Sequence, residues 1–226
     1  MISIRNLNYA YPDGNRALTD IHLDIHEGEC VGIVGCNGAG KSTLLLHLNG
    51  LLRGRGEIRI ADLDMTDQNT PRIRSLVGLV FQDPEDQLFM PTVREDIAFG
   101  PIHMGKSASE IEDSVRRALV EVDMPHFEAR SSHHLSLGEK KRIALATVLA
   151  MNPSILALDE PSSNLDPKHR RELVQLLQRL KMTRIIASHD LDLVSRLCTR
   201  AVWMEEGRIV ADGGIEEVLA RFSERC

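Results

Sequence analysis

The sequence predicts an α/β fold in which helices alternate with the strands of a mostly parallel core sheet. The run CVGIV at 30–34 is apolar throughout and of strand length, as expected for a strand buried on both faces of a sheet. A similar run, ILALD, follows at 155–159. Between them, EIEDSVRRALVEV at 110–122 places its apolar residues on one helical face. These observations predict a core sheet with an inserted helical segment.

The segment before CVGIV predicts two strands. Apolar residues alternate with polar ones around Ile4 and again around Leu23, which is the pattern of half-buried strands. The residues between them, YPDGN at 11–15, have the composition of a turn.

The rest of the chain continues the alternation. After a glycine-rich loop, STLLLHLNG predicts a helix that ends at Gly50. The helical pattern dominates from Asp83 to about Arg130, and the tail IEEVLARFSERC predicts a short helix at most. Further strands are expected at 55–61, 76–81, 184–188 and 201–204.

Composition and net charge argue against several classes of function. The 226 residues are 42% apolar and carry a formal net charge of -6, which argues against a broad nucleic-acid surface. No apolar run approaches the roughly 18–20 residues that cross a bilayer, and MISIRNLNYAY does not resemble a signal peptide. The four cysteines form no CxxC pair and are expected to be reduced thiols: Cys30, Cys36, Cys198 and Cys226.

The stretch GCNGAGKST fits the phosphate-loop pattern G-x-x-x-x-G-K-[ST] between a strand and a helix. Glycines let backbone N–H groups approach an anion, and the helix start adds its positive dipole end. Lys41 is expected to reach the β- and γ-phosphates, and Ser42 to ligate Mg²⁺. The alternative is a glycine turn with a chance lysine. The predicted nucleotide contacts here are Gly35, Cys36, Asn37, Gly38, Ala39, Gly40, Lys41, Ser42 and Thr43.

The strand ILALDE ends in two carboxylates. Asp159 is expected to hold Mg²⁺ through water, and Glu160 to accept a proton from an attacking water. The alternative is that both acids cap the next helix. His133 and His134 are expected to be loop residues, because neighbouring side chains do not share one helical face and so do not aim at one metal ion.

The segment LSLGE at 135–139 resembles the LSGGQ signature of ATP-binding-cassette (ABC) ATPases. Leu135, Ser136 and Gly138 match it, whereas Leu137 and Glu139 depart from it. A helix N-terminus here could face phosphate, with Ser136 donating a hydrogen bond and Gly138 allowing close approach. An ordinary helix cap is the alternative.

Further motifs of the ABC family follow in the family's order. Gln82 matches the glutamine that contacts Mg²⁺ and attacking water, and His189 the histidine that touches the γ-phosphate. SSNLD at 162–166 resembles the D-loop, with Asn164 where a small residue is common. Tyr11 matches the aromatic residue that stacks on adenine, although a partly buried strand tyrosine is the alternative.

The resemblance implies a P-loop NTPase of the ABC-ATPase type, with a RecA-like core sheet, an N-terminal antiparallel β subdomain and an inserted α-helical subdomain. Residues 1–226 then form one ABC ATPase domain, with a catalytic core at about 1–82 and 135–226 and the helical subdomain at 83–134. ATP and Mg²⁺ are the implied ligands. The catalytic residues would be Lys41, Gln82, Glu160 and His189, and the Mg²⁺ ligands Ser42, Gln82 and Asp159. Two subunits would close two sites, with Ser136, Gly138 and Glu139 acting across the dimer.

Two stretches, FQDPEDQLFMPTVREDIAFGP and LSLGEKKRIALATVLAM, resemble ATPases of energy-coupling-factor (ECF) importers, especially the cobalt and nickel branch. That likeness implies a transmembrane coupling protein, a substrate-capturing membrane protein and a peripheral place on the cytoplasmic face of the membrane. It implies uptake of a transition metal or a vitamin. An additional C-terminal assembly domain is expected to be missing. Leu88, Phe89 and Met90 are a candidate membrane-partner surface, or equally part of the lobe's interior.

Two other function classes remain as alternatives. A soluble ABC ATPase of DNA repair or translation would carry long coiled coils or two cassettes, and neither pattern is present in the sequence. A small-molecule P-loop kinase would explain the glycine loop but not LSLGE and SSNLD. Copurification with membrane proteins, rather than with nucleic acid or ribosomes, separates the first alternative from transport.

Overall fold

The computed structural model describes residues 1–224, so Arg225 and Cys226, at the end of the predicted tail helix, lie outside the described residues. Its strands are β1 (Ile2–Ala10), β2 (Arg16–Ile25), β3 (Cys30–Val34), β4 (Arg55–Ile60), β5 (Leu63–Asp64), β6 (Val77–Val80), β7 (Ile155–Asp159), β8 (Thr183–Ala187), β9 (Arg200–Glu205) and β10 (Arg208–Gly214). Its α-helices are α1 (Lys41–Leu48), α2 (Thr70–Leu76), α3 (Val93–His103), α4 (Ala108–Glu121), α5 (Leu137–Leu149), α6 (Pro167–Arg179), α7 (Leu191–Leu197) and α8 (Ile215–Ser223).

The described chain packs as two compact units. The sheet unit comprises Met1–Leu79, Ser154–Glu160 and the chain from Lys181 onward. The helical unit comprises Val80–Pro153 and Pro161–Leu180.

The sheet unit contains the core sheet, in the order β10-β9-β3-β8-β7-β6. Strand β3 pairs in parallel with β8 and β9, and β7 pairs in parallel with β8. All five residues of β3 are buried, as are the first four of β7, because helices cover parallel sheets on both faces. The predicted α/β core is confirmed.

A second sheet of the same unit has the order β2-β1-β4-β5 and antiparallel pairing throughout. Its buried side chains alternate along β2, where Ile21, Leu23 and Ile25 are almost fully buried. This alternation places one face on a core. The expected N-terminal antiparallel β subdomain is therefore confirmed.

The helical unit is built from α3, α4, α5 and α6. Of the apolar face predicted on α4, Val115, Ala118 and Leu119 are buried, and Val122, just after the helix, is buried too. The predicted subdomain at 83–134 ends before α5, whereas in the structure α5 and α6 pack in the same unit as α3 and α4. The predicted bounds stay a prediction about how the family divides its chain.

Two further features are the length of the helices and the state of the cysteines. Within residues 1–224, no helix is both long and apolar enough to cross a membrane. The described cysteines are free thiols, with Cys30 and Cys198 buried and Cys36 exposed in the phosphate loop.

Candidate active site

The phosphate loop connects β3 to α1 in the sheet unit. Lys41 is the first residue of α1 and is only 6% exposed. Its Nζ donates to the carbonyl oxygens of Gly35, at 2.7 Å, and Cys36, at 3.2 Å. The loop therefore wraps around the ammonium group, where it can meet a phosphate.

Two glycines of the loop are required for different reasons. Gly40 has φ +100°, and a Cβ there would lie 2.5 Å from the carbonyl oxygen of Ala17, so both conformation and space demand glycine. Gly38 has φ +80°, but no atom lies within 4 Å of where a Cβ would be, so only the backbone conformation demands glycine there. Open space at Gly38 suits a loop that surrounds a ligand.

No side chain caps the start of α1, whose N-cap is Gly40. The first N–H groups of a helix have no partner within the helix, and they carry the positive end of its dipole. An anion is the natural partner for such groups. The start of α1 thus fits the phosphates of a nucleotide.

Glu160 lies directly after β7 and is 6% exposed, with φ +43°. Its carboxylate accepts hydrogen bonds from Ser188 Oγ, at 3.0 Å, and from the His189 backbone amide, at 3.1 Å. The His189 ring Nδ1 lies 2.8 Å from Oε2, and Lys41 Nζ lies 3.8 Å from Oε1. The sheet unit thus brings together three predicted catalytic residues: Lys41, Glu160 and His189.

The predicted Mg²⁺ ligands of the sheet unit are Ser42, which is exposed, and Asp159, which is partly buried at the end of β7. Hydroxyl and carboxylate oxygens are the donors that Mg²⁺ prefers, and Mg²⁺ is usually held by one or two such residues together with phosphate oxygens and water. Residues 1–224 contain no group of three or more His, Cys, Asp or Glu side chains placed to hold a metal. The residues present fit a Mg²⁺ ion that arrives with ATP.

Tyr11 follows the end of β1 and is partly exposed. Its hydroxyl shares a hydrogen bond with Thr43 Oγ1 of α1, at 2.9 Å, and its ring meets the ring of Tyr9 edge to face. These contacts fix the ring beside the phosphate-loop helix. Its stacking on adenine stays a prediction.

Ser136, the predicted signature serine, is the N-cap of α5 in the helical unit. Its hydroxyl donates to Glu139 Oε2, at 2.7 Å, and accepts from the Glu139 backbone amide, at 3.4 Å. Hydrogen bonds from Ser136 lower the pKa of the Glu139 carboxyl. The departure from LSGGQ at Glu139 therefore forms a capping box, which is the alternative raised for this serine.

Gly138 is also occupied by contacts within the chain. A Cβ at this position would lie 2.7 Å from Cγ of His169 on α6. The His169 ring is held in turn by Asp166 in a close Nδ1–Oδ2 contact, which lowers the Asp166 pKa to about 2. The lack of a side chain at Gly138 therefore makes room for the His169 ring.

Gln82 is exposed, just beyond β6, and its backbone carbonyl accepts a hydrogen bond from Lys141. Three residues that contact the predicted site residues were not predicted from the sequence: Lys141, Ser188 and His169. Ser188 adjoins His189 in the sequence. Lys141 falls three residues before Ala144 on the buried face of α5, so a charge among apolar positions was a signal that could have been used. His169 left no such signal.

Comparison with known proteins extends these observations. The model of the ABC transporter family matches residues 18–163. A Geobacter sulfurreducens protein named as an ABC transporter ATP-binding protein is 51% identical over 219 residues, 96% of this chain and 88% of the relative. This chain belongs to the ABC transporter family. It is an ATP-binding subunit with the ABC ATPase fold, and an ATPase.

Other relatives are more informative about the type of transporter. The energy-coupling factor transporter ATP-binding protein EcfA of Methanothermobacter thermautotrophicus is 46% identical over 94% of this chain and 70% of its own length. The structure of CbiO1 from Clostridium perfringens, described as part of the ABC transporter complex cbiONQ, has a TM-score of 0.87 and 39% identity over 99% of this chain and 92% of CbiO1. A dimeric ATP-binding cassette in a post-hydrolysis state with ADP and Pi has a TM-score of 0.84 and 28% identity, covering 95% and 99%.

Proposed function

We propose that this ABC ATPase hydrolyses ATP to drive an ECF-type importer. The observation that supports hydrolysis best is that Glu160, which is buried beside Lys41 of the phosphate loop, also contacts the exposed ring of His189. The likeness to EcfA and CbiO1 supports the ECF type. The cargo is a transition metal, cobalt or nickel, or a vitamin.

The proposed chemistry assigns a role to each group of the sheet unit. Lys41 and the backbone N–H groups at the start of α1 hold the phosphates. Ser42 and, through water, Asp159 hold Mg²⁺, which when bound draws charge from phosphate oxygens. Glu160 takes the proton of the attacking water, and His189 stabilises charge on the γ-phosphate.

The helical unit supplies the remaining proposed groups. Gln82 contacts Mg²⁺ and orients water. Ser136, Gly138 and Glu139 face the nucleotide of a second subunit, so that two chains, identical or different, close two ATP sites. The dimeric cassette with ADP and Pi supports this arrangement. Ser136 and Glu139 already form hydrogen bonds with each other. A nucleotide held by the second subunit would therefore compete with this capping box for the hydrogen-bond donors at the start of α5.

We propose that the helical unit docks on a membrane partner at the cytoplasmic face through an aromatic patch. Of the three residues considered from the sequence, Leu88 is 3% exposed and packs inside the unit, whereas Phe89 is 58% exposed. The rings of Phe89 and Phe99 meet edge to face, and Ile102 beside them on α3 is 54% exposed. The two partners proposed are a transmembrane coupling protein and a substrate-capturing membrane protein.

The first test substitutes Glu160 by Gln, which keeps the shape of the side chain and removes its ability to accept a proton. General-base catalysis contributes about 10²–10⁴-fold, so turnover is expected to fall by that factor while ATP still binds and the dimer persists. Measurement is by phosphate release and by size-exclusion chromatography with ATP and Mg²⁺. Full turnover by Glu160→Gln would exclude Glu160 as the base.

The second test concerns transport. Affinity purification of the tagged chain from membranes is expected to recover two membrane proteins, and Phe89→Asp is expected to release them while ATP turnover persists. Glu112→Ala, at a position of α4 whose side chain is 48% exposed, is a surface control that should keep the partners. Recovery of ribosomes or nucleic acid in place of membrane proteins would contradict the transport role.

A further inference from the structure

We propose that Lys141 is a positioning residue for ATP hydrolysis, which joins Gln82 and the D-loop to the signature helix α5. Its Nζ donates to the carbonyl oxygen of Gln82, at 3.1 Å, and to Ser163 Oγ, at 3.0 Å. Lys141 itself lies on α5, one helical turn after Leu137 of the signature. All of these residues lie in the helical unit, so the contacts belong to one packed body.

The burial of Lys141 is what makes these contacts consequential. The side chain is 6% exposed, on a helix whose neighbouring Ile143, Ala144 and Leu145 are almost fully buried. Removing an ammonium group from water is costly unless its N–H donors find acceptors. A leucine or methionine would fill such a position without that cost. The lysine is therefore explained by the polar groups that it connects rather than by packing.

Each contact fixes a different segment. The bond to the Gln82 carbonyl holds the backbone from which the exposed Gln82 side chain extends. The bond to Ser163 holds the residue before Asn164, whose φ of +60° marks a tight bend in the D-loop. A cavity of about 200 Å³ lies among Gln82, Leu137, Lys141, Ser163 and Asn164.

The consequence is that α5, Gln82 and the D-loop respond to one another as a unit. This inference rests on the proposed role of Gln82 in hydrolysis but not on the cargo or the membrane partners. Misplacing a catalytic group by 1 Å can reduce a rate by about 10²-fold. Lys141 would thus affect turnover without touching ATP.

The test compares Lys141→Met with the unaltered full-length chain. Met keeps the length and apolar stem of the side chain and removes its donors. We expect kcat for ATP to fall about 10–100-fold, while KM stays within about threefold, because Lys41 and the phosphate loop belong to the sheet unit. Lys168→Met removes a lysine that is 74% exposed on α6 and should leave kcat unchanged.

Three further variants make the result specific. Lys141→Arg keeps charge and donors, and the adjacent cavity has room for the longer side chain, so it should recover most of the lost kcat. Ser163→Ala should lower kcat alone but add little to Lys141→Met, because the shared bond is already broken. Fully additive effects, no recovery by Lys141→Arg, or an unchanged kcat in Lys141→Met would overturn the proposal.

Two controls separate this inference from folding and from the proposed function. Thermal unfolding of each variant is measured; if Lys141→Met does not fold, Ser163→Ala decides, and its unchanged kcat would overturn the proposal. Gln82→Ala removes the proposed catalytic amide but retains the carbonyl that Lys141 contacts. Unchanged turnover by Gln82→Ala would refute the role of Gln82 in hydrolysis, on which this inference rests. A low kcat in Gln82→Ala together with a normal kcat in Lys141→Met would refute only the positioning role of Lys141.

Discussion

Helices α1 and α5 begin with residues that suit an anion, but their first amide groups are satisfied differently. At α1 the N-cap is Gly40, and no side chain caps the helix. At α5, Ser136 and Glu139 form a complete capping box. A helix start without its own cap is prepared for a ligand, whereas a capped one is stable before any ligand arrives. We therefore expect the start of α1 to be open to phosphate at all times, whereas the start of α5 binds phosphate only in competition with its own cap.

The glycines of the two segments differ in the same way. A side chain at Gly40 would be opposed both by the positive φ and by the backbone carbonyl of Ala17, whereas a side chain at Gly138 would meet the ring of His169. The first obstacle is a main-chain oxygen that cannot move away. The second is a side chain that can be removed by mutation, which makes the comparison testable.

The largest effect is expected for Gly40→Ala. Strain at positive φ and overpacking against Ala17 each cost about 1–3 kcal/mol, so the free energy of unfolding should fall by about 2–6 kcal/mol, and ATP binding should be lost. Gly38→Ala is the matched variant in the same loop, with strain but open space, and should lose only about 1–3 kcal/mol. Urea unfolding and a fluorescent ATP analogue measure both. Equal losses would mean that Ala17 does not restrict the loop.

A smaller effect is expected for Gly138→Ala, which overpacks the His169 ring and should cost about 1–3 kcal/mol. The double variant Gly138→Ala with His169→Ala should regain most of that stability, because the obstructing ring is gone. Stability is measured by urea unfolding and turnover by phosphate release. Stability regained without turnover would give Gly138 a role beyond packing, and no regain would refute the steric account.

The two capping boxes of the helical unit allow a third comparison. Ser136 caps α5 and Ser107 caps α4 by the same pair of contacts with a glutamate. Loss of an N-cap costs about 1 kcal/mol, so Ser136→Ala and Ser107→Ala should destabilise the chain alike. Only Ser136→Ala should reduce ATP turnover beyond this loss. Equal turnover in both variants would leave Ser136 a cap alone.

The dependence of stability on pH offers a final test. His47 on α1 is fully buried, its Nδ1 lies 2.7 Å from the Thr43 carbonyl, and burial lowers its pKa below the usual 6.5. The unfolded chain then binds the proton more readily, so stability should fall as pH drops below about 6.5, by at most about 1.4 kcal/mol per unit.

The control for that prediction is His47→Asn, which keeps a donor near Nδ1 and does not titrate. Its unfolding free energy should vary less between pH 7.5 and 5.5 than that of the unaltered chain, whereas His22→Asn, at an exposed position, should not change the dependence. The readout is the urea midpoint at both pH values. The same slope in all three proteins would show that His47 does not contribute.

Much of this protein could be predicted from short stretches. The phosphate loop, the buried strand β3 and the start of α1 are contiguous, and local backbone preferences act over a few residues. A helix cap at Ser136 was also predicted as an alternative, because cap preferences are local; the partner Glu139 that completes the capping box came from the structure.

Contacts between distant segments required the tertiary structure. Glu160 meets Ser188 and Lys41 because the sheet order places β7 beside β8 and β8 beside β3, and no local preference sets that order. His169 reaches Gly138, and Lys141 reaches Gln82 and Ser163, through packing between elements that are remote in sequence. The sequence by itself determined the fold class, the anion-binding loop and the start of the helix that follows this loop. Only the tertiary structure decided which charges share a partner, because burial and strand order depend on the whole chain at once.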